Sequence, residues 1–309
     1  MPPTSPNRRD LLAAAASWAL AGAAAPSLLA SVSGRPSGDD APLYKISCTE
    51  YSLHRTIANG ELDHLDYAPF VRKTFDLDAV EYWSGPFAAK VTDAAYVRDT
   101  RKRADDAGVK GLVILVDGEG NLGDPDGAKR AQAVQNHVKW LEAAKALGCH
   151  SIRVNAHSAG SFEEQQKLAA DGLRRLSEAA TKFDQNVIVE NHGGLSSNGA
   201  WLAGVMKLVN MDNCGTFPDF GNFGDYDRYQ GTRELMPWAK AVSAKSHEFD
   251  AAGNETRTDY RRMMKIVTDA GYHGYAGIEY EGSKHSEVDG VRLTRDLLLR
   301  VRDDLSATS

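Results

Sequence analysis

From Leu43 onward the chain alternates between short β-branched apolar runs and longer stretches with helical spacing. The runs fall at residues 44–48, 79–82, 111–116, 151–155, 187–190, 215–219, 241–246 and 274–280. They are continuously apolar rather than alternating, the pattern of strands covered on both faces. Helical patterns lie between them at 94–107, 129–147, 162–183 and 258–270, and a last one follows at 288–305. The first two stop at Gly108 and Gly148, where a glycine ends a helix without steric cost. In 129–147, Val134, Val138, Leu141 and Ala144 make one buried stripe. Strand followed by helix, repeated eight times, predicts parallel strands with helical crossovers. The fold class is therefore α/β, as a single (β/α)8 TIM barrel spanning 43–309; such barrels take roughly 250 residues.

An open doubly wound sheet is the competing arrangement. Its dinucleotide signature would be a Gly-x-Gly-x-x-Gly turn after the first strand. Gly118, Gly120 and Gly123 have that spacing but follow the third run, and Asp124-Pro125-Asp126 comes next. No helix opens on those glycines, so the motif reads as a loop.

Residues 1–42 precede the barrel. Arg8-Arg9 stands ahead of an Ala-rich weakly apolar run from Leu11 to Ala25, and a Gly/Pro/Ser linker runs from Ser33 to Pro42. This segment resembles a twin-arginine export signal, which implies an exported, periplasmic protein and the twin-arginine machinery as partner. That route carries proteins that fold, often with their cofactor, before export. The formal charge is −6, so the basic face needed for a nucleic-acid partner is missing. Cys48, Cys149 and Cys214 stand far apart with no Cys-x-x-Cys pair and read as small buried hydrophobes. Self-association is left open.

Four late runs end on residues able to hold a metal ion: Glu190, Asp219, His247 and Glu279, in steps of roughly 30 residues, the length of a strand–helix unit. In a parallel barrel these ends converge on the working face. Glu190 opens Glu190-Asn191-His192-Gly193-Gly194, and Arg153 is its natural ionic partner if no metal is present. Asp219 lies among Phe217, Phe220 and Phe223. Lys245 and His247 share one strand face, as do Glu279 and Glu281, so either of that last pair could be the ligand. Two carboxylates in one mouth repel unless a cation sits between them. Carboxylates with one imidazole suit Mn2+ or Mg2+ first, with Zn2+, Co2+ or Fe2+ as alternatives.

These residues resemble the metal shell of the xylose-isomerase-like TIM-barrel superfamily, in its sugar phosphate isomerase/epimerase branch. The resemblance covers essentially everything after Leu43. It implies Glu190, Asp219, His247 and Glu279 as metal ligands at strands five to eight, with Glu190 and Glu279 also exchanging a proton across the sugar. It implies substrate contacts at Arg153 and Asn155, and His192, Asn222, Lys245 and Glu281 are further candidates. Strand seven of this branch often reads His-x-Lys-Asp. Aligning Lys245 puts Ser243 in the ligand position, whereas a shift of four residues puts His247 there. His247 is preferred because a serine hydroxyl is a poor ligand.

The expected substrate is a small carbohydrate without phosphate, since no glycine-rich phosphate loop opens a helix. The expected function is a metal-dependent sugar isomerase or epimerase acting through a stabilised enediolate. The alternatives are a lyase that eliminates the aglycone of a 3-keto-glycoside, and a non-catalytic periplasmic sugar-binding barrel.

Overall fold

The computed structural model describes residues 42–307, so the twin-arginine reading lies outside the described residues. Eight strands form one sheet: β1 Lys45–Thr49, β2 Ala79–Trp83, β3 Lys110–Leu115, β4 Ser151–Val154, β5 Asn186–Glu190, β6 Cys214–Phe217, β7 Val242–Ser246 and β8 Tyr275–Tyr280. Each is followed by a main helix: α1 Tyr67–Phe75, α2 Ala94–Asp106, α3 Gly127–Leu147, α4 Phe162–Ala180, α5 Gly199–Val209, α6 Arg228–Leu235, α7 Tyr260–Asp269 and α8 Glu287–Ser306. Every ladder between neighbouring strands is parallel, running β6-β5-β4-β3-β2-β1-β8-β7. The ends of this order meet. Lys240 N donates to Thr216 O (3.1 Å), Ser243 N to Pro218 O (2.9 Å), and Phe220 N to Ser243 O (3.1 Å). The expected (β/α)8 barrel is thus present, and its seam between β6 and β7 passes through Asp219 and Ser243, which form an isolated bridge.

Local chemistry sets the helix ends. Asp93, Asp126, Asn198, Asp227, Asp259 and Ser286 each cap a helix by accepting backbone N–H groups, and Ser161 with Glu164 forms a reciprocal capping box on α4. Three helices escape the sequence pattern. α1 and α6 are short, and α5 (Gly-Ala-Trp-Leu-Ala-Gly-Val-Met-Lys-Leu-Val) is apolar on nearly every side, so it shows no stripe.

The main core lies between strands and helices. A smaller apolar cluster (Ala79, Leu112, Val113, Leu115, Ile188, Phe217 and Ala241) draws most of its bulk from β3, β5 and β6. The β8-β1-β2 side of the barrel is polar. Glu81 on β2 is wholly buried and accepts hydrogen bonds from Ser47 Oγ (3.0 Å) and from Thr49 on β1. Gly277 on β8 makes the room, because any Cβ there would collide with the Glu81 carboxylate.

Burial drives the Glu81 carboxyl up to about 7, against the two hydroxyl donors, with Glu279 adding to the rise. Its folded-state value exceeds the unfolded one, so its stabilising contribution is complete below the unfolded value and is lost as pH rises through about 7. The loss amounts to on the order of 3 kcal/mol. Glu81→Gln, which cannot ionise, should remain folded and lose less stability than the parent between about pH 5 and pH 8. Denaturant midpoints across that range check this; identical pH slopes would show that Glu81 is not the titrating group.

Candidate active site

The strands deliver three carboxylates to one point at the C-terminal mouth of the barrel. Glu190 ends β5, Asp219 follows β6 by two residues, and Glu279 lies near the end of β8. Their exposures are 0%, 0% and 3%, and one oxygen of each lies within 4.8 Å of the others.

Asp219 is clamped before it meets the others. Its N–H donates to Asn191 Oδ1 (2.8 Å), and Asn191 Nδ2 donates back to its carbonyl (2.9 Å). Its Oδ1 accepts the N–H groups of Gly221 and Asn222 (2.8 Å each), which leaves Oδ2 facing the cluster. Asn222 Nδ2 also donates to Glu190 Oε1 (2.9 Å). The other Glu190 oxygen, Oε2, lies 2.8 Å from Arg153 Nε, yet both atoms lack a hydrogen bond. Arg153 Nη1 and Asn155 Nδ2 both donate to Asp117 Oδ1 (2.8 and 2.9 Å), and Trp83 Nε1 donates to Asp117 Oδ2 (3.3 Å).

Strand β7 corrects the expected register. Lys245 pairs with Glu279 and Ser243 with Gly277, so Ser243 and Lys245 are the inward residues at this level. Ser243 Oγ lies 2.8 Å from Asp219 Oδ2 and 2.7 Å from Glu279 Oε2. His247, the expected fourth ligand, stands beyond the end of β7 and outside the carboxylate cluster; its backbone N–H donates to Glu255 Oε1 (3.2 Å). The physical reason is the rise of a strand, roughly 3.3 Å per residue, which carries a residue four positions past Ser243 well above the layer of the three carboxylates.

Of the other expected residues, Arg153, Asn222 and Lys245 touch the cluster directly. Asn155 meets it through Asp117, and Glu281 accepts from Lys245 Nζ (2.7 Å). His192 stands at the rim, where partial desolvation of the ring and then Arg153 hold its imidazole below the usual value. Sequence reasoning missed Asp117, Asn191 and Trp83. Asp117 directly follows an apolar strand run, a signal hidden by the glycine motif beside it.

The charge balance favours a bound cation. Lys245 Nζ lies 3.4 Å from Glu279 Oε1 and 3.5 Å from Asp219 Oδ2, and it is the only cation besides Arg153 shown paired to these three carboxylates among the described residues. Burial pushes Glu190 up to about 8, partly opposed by Arg153, and Asp219 up to about 6, partly opposed by Lys245. Glu279 is held below its ordinary value: burial acts upward, but Lys245 and then the Ser243 hydroxyl outweigh it. Three carboxylate oxygens, one from each of Glu190, Asp219 and Glu279, lie within 4.8 Å of one another and form a donor set that fits a hard divalent ion with metal–oxygen distances of about 2.1 to 2.5 Å. Glu190, Asp219 and Glu279 would hold it.

A protonated carboxyl is a poor ligand, so Mn2+ affinity measured by calorimetry should rise as pH increases through about 6 and then about 8. Affinity that stays flat over that range would remove Glu190 from the shell. Ser243→His would add an imidazole at the vacant strand-seven position and should favour Zn2+ over Mg2+ by about tenfold or more relative to the parent. Competition binding with both metals measures this, and unchanged selectivity would place residue 243 outside the coordination sphere.

Comparison with known proteins places this geometry in context. The fold is similar to that of the Xylose isomerase domain protein from Planctomyces limnophilus (TM-score 0.66, 17% identity, covering 86% of this chain and 99% of that one). It is also similar to 3-keto-D-glucoside 4-epimerase from E. coli (TM-score 0.64, 17% identity, 84% and 99% covered). A third similar structure is the IOLI protein with a binding zinc atom (TM-score 0.68, 13% identity, 84% and 98% covered). Among curated protein sequences none is significantly similar. Residues 71–301, well over half of the chain, match the model of one family, and the chain belongs to it: the xylose isomerase-like TIM barrel family.

Proposed function

We propose that this protein is a divalent-metal-dependent sugar isomerase or epimerase that moves a proton at a carbon beside a carbonyl. The observation that carries this reading is the buried cluster of Glu190, Asp219 and Glu279 at the barrel mouth, with an oxygen of each within 4.8 Å of the others. That donor set fits a hard divalent ion, and Glu190 and Glu279, which stand near the ends of different strands, are a pair of carboxylates suited to proton transfer beside it. Sugar epimerases among the similar folds support the substrate class, and Arg8-Arg9 supports action outside the cytoplasm.

In this reading Glu279 removes the substrate proton and Glu190 delivers one to the opposite face. Asp219 is ligand only, with its oxygens fixed by Gly221, Asn222 and Ser243. Ser243 and Lys245 keep Glu279 ionised, and Asn222 orients Glu190. Arg153, itself pinned by Asp117, keeps a permanent positive charge beside Glu190. A bound divalent ion would supply Lewis-acid polarisation of the substrate oxygens, which makes the neighbouring C–H acidic enough for a carboxylate. The lyase alternative uses the same base and differs in the next step: instead of regaining a proton at carbon, the deprotonated sugar breaks its bond to the aglycone oxygen, which leaves with the electron pair and takes up a proton.

The test is proton exchange. With Mn2+ or Mg2+ in D2O, a ketose substrate should gain deuterium at the carbon beside its carbonyl. Glu190→Gln and Glu279→Gln should each lower the rate by about 10² to 10⁴-fold while the variants stay folded. Parental exchange in either variant would remove that residue from the chemistry. Release of an aglycone without an epimerised sugar would favour the lyase.

A further inference from the structure

A cavity lies beside the carboxylate cluster, on the side of Asp117. It has a volume of about 330 Å³ and is lined by the loop after β3, by Asn155 and His157 after β4, and by His192 after β5. It begins one residue from the reacting centre, because Asp117 lines it and also binds Arg153, which faces Glu190. The loop is the Gly118-x-Gly120 segment of the glycine motif. Both glycines have positive φ (81° and 92°), the left-handed conformation that turns the chain back over the pocket.

The lining has unused hydrogen-bonding capacity. Asn155 Oδ1 is buried without a partner. The side chains of Asn121, His157 and His192 make no hydrogen bond within the described residues, and His157 and His192 touch only by their rings (centroids 6.5 Å apart). Other lining groups are already committed. Glu119 Oε1 accepts from Trp140 Nε1 (2.7 Å) and pairs with Lys139 (2.8 Å), and His137 Nδ1 bonds Ala133 O (2.8 Å). The free groups are thus amides and imidazoles facing one space. Both wall carboxylates, Asp117 and Glu119, are already paired with cations, and no Lys or Arg lines the cavity to attract an anion. A neutral, hydroxyl-rich ring matches this chemistry, and the volume is at the small end of ligand clefts.

We propose that this cavity is a second sugar subsite, so that the preferred substrate carries an uncharged saccharide ring attached to the reacting unit. The proposal rests on the isomerase reading for what happens at the first unit, but the binding test does not. Mn2+-loaded protein is titrated with fructose and with turanose, maltulose and isomaltulose, which attach a glucosyl ring to the same fructose unit at different positions. At least one disaccharide should bind about tenfold more tightly than fructose, the effect of two or so added hydrogen bonds. Asn121→Ala/His157→Ala should erase that gain and leave fructose affinity within about twofold of the parent. Both substitutions remove side chains that are exposed and unbonded, so folding is not at stake.

The inference is overturned if no disaccharide binds more tightly than fructose, if no saccharide binds, or if the gain survives in the double variant. Deuterium exchange run in parallel separates the two claims. A disaccharide gain without exchange sinks the isomerase reading and keeps the subsite. Exchange on fructose with no disaccharide gain does the reverse.

Discussion

Three carboxylates buried within 4.8 Å of one another are the constraint around which the rest of this barrel mouth is arranged. At that separation, and at an effective dielectric of about 20, each ionised pair repels by roughly 3 kcal/mol. Such a cluster cannot stay fully ionised unless positive charge reaches it. Arg153 arrives from β4 and Lys245 from β7, and both are buried against the carboxylates rather than extended to solvent. Two cations do not balance three carboxylates together with Asp117 and Glu281, which share the same partners. Part of that imbalance shows in the upward shift of Glu190 to about 8, and a bound divalent ion would relieve more of it.

The cluster and the closure of the barrel are one structural problem. The seam between β6 and β7 carries few backbone hydrogen bonds, and two of them involve Ser243. The same residue's hydroxyl bridges Asp219 and Glu279, one on each side of the seam. Asn191 ties β5 to the chain leaving β6 by a reciprocal pair of bonds at Asp219. Placement of the carboxylates therefore depends on the seam, and a disturbance of either would be felt by the other. Beneath the site, Glu81 and its two hydroxyl donors keep the β8-β1-β2 side of the barrel polar, whereas β3, β5 and β6 pack aliphatic and aromatic side chains together.

Much of this was legible in the chain. Eight runs at regular spacing point to parallel strands with helical crossovers, which a closed barrel and an open doubly wound sheet both satisfy, and the β6–β7 seam shows the closure. Given that closure, convergence of Glu190, Asp219 and one of Glu279 and Glu281 follows, since strand ends of a parallel barrel share one face. Where periodicity was weak, the reading was weak: α5 is apolar all round, and α1 and α6 are too short to show a stripe.

Register was the part that sequence could not decide. Both Ser243 and His247 lie on the inward face of β7 by parity, and the better ligand by chemistry is the histidine. Height along the strand is set by backbone pairing with β8 and with the chain beyond β6, which are distant in sequence, and that pairing puts Ser243 at the carboxylates. The same holds for Asp117, whose role exists only because Arg153 and Asn155 on another strand point at it, and for the glycine loop, which becomes a pocket wall only when β4 and β5 bring their own residues opposite. The sequence by itself determined the eight strand–helix units and the strand-end positions of Glu190 and Asp219, because both follow from local pattern. The closure, the choice of Glu279 over Glu281, the register of Ser243, the charge balance and the cavity beside the cluster were decided by tertiary structure, because each depends on the relative height of strands that only the closed sheet defines.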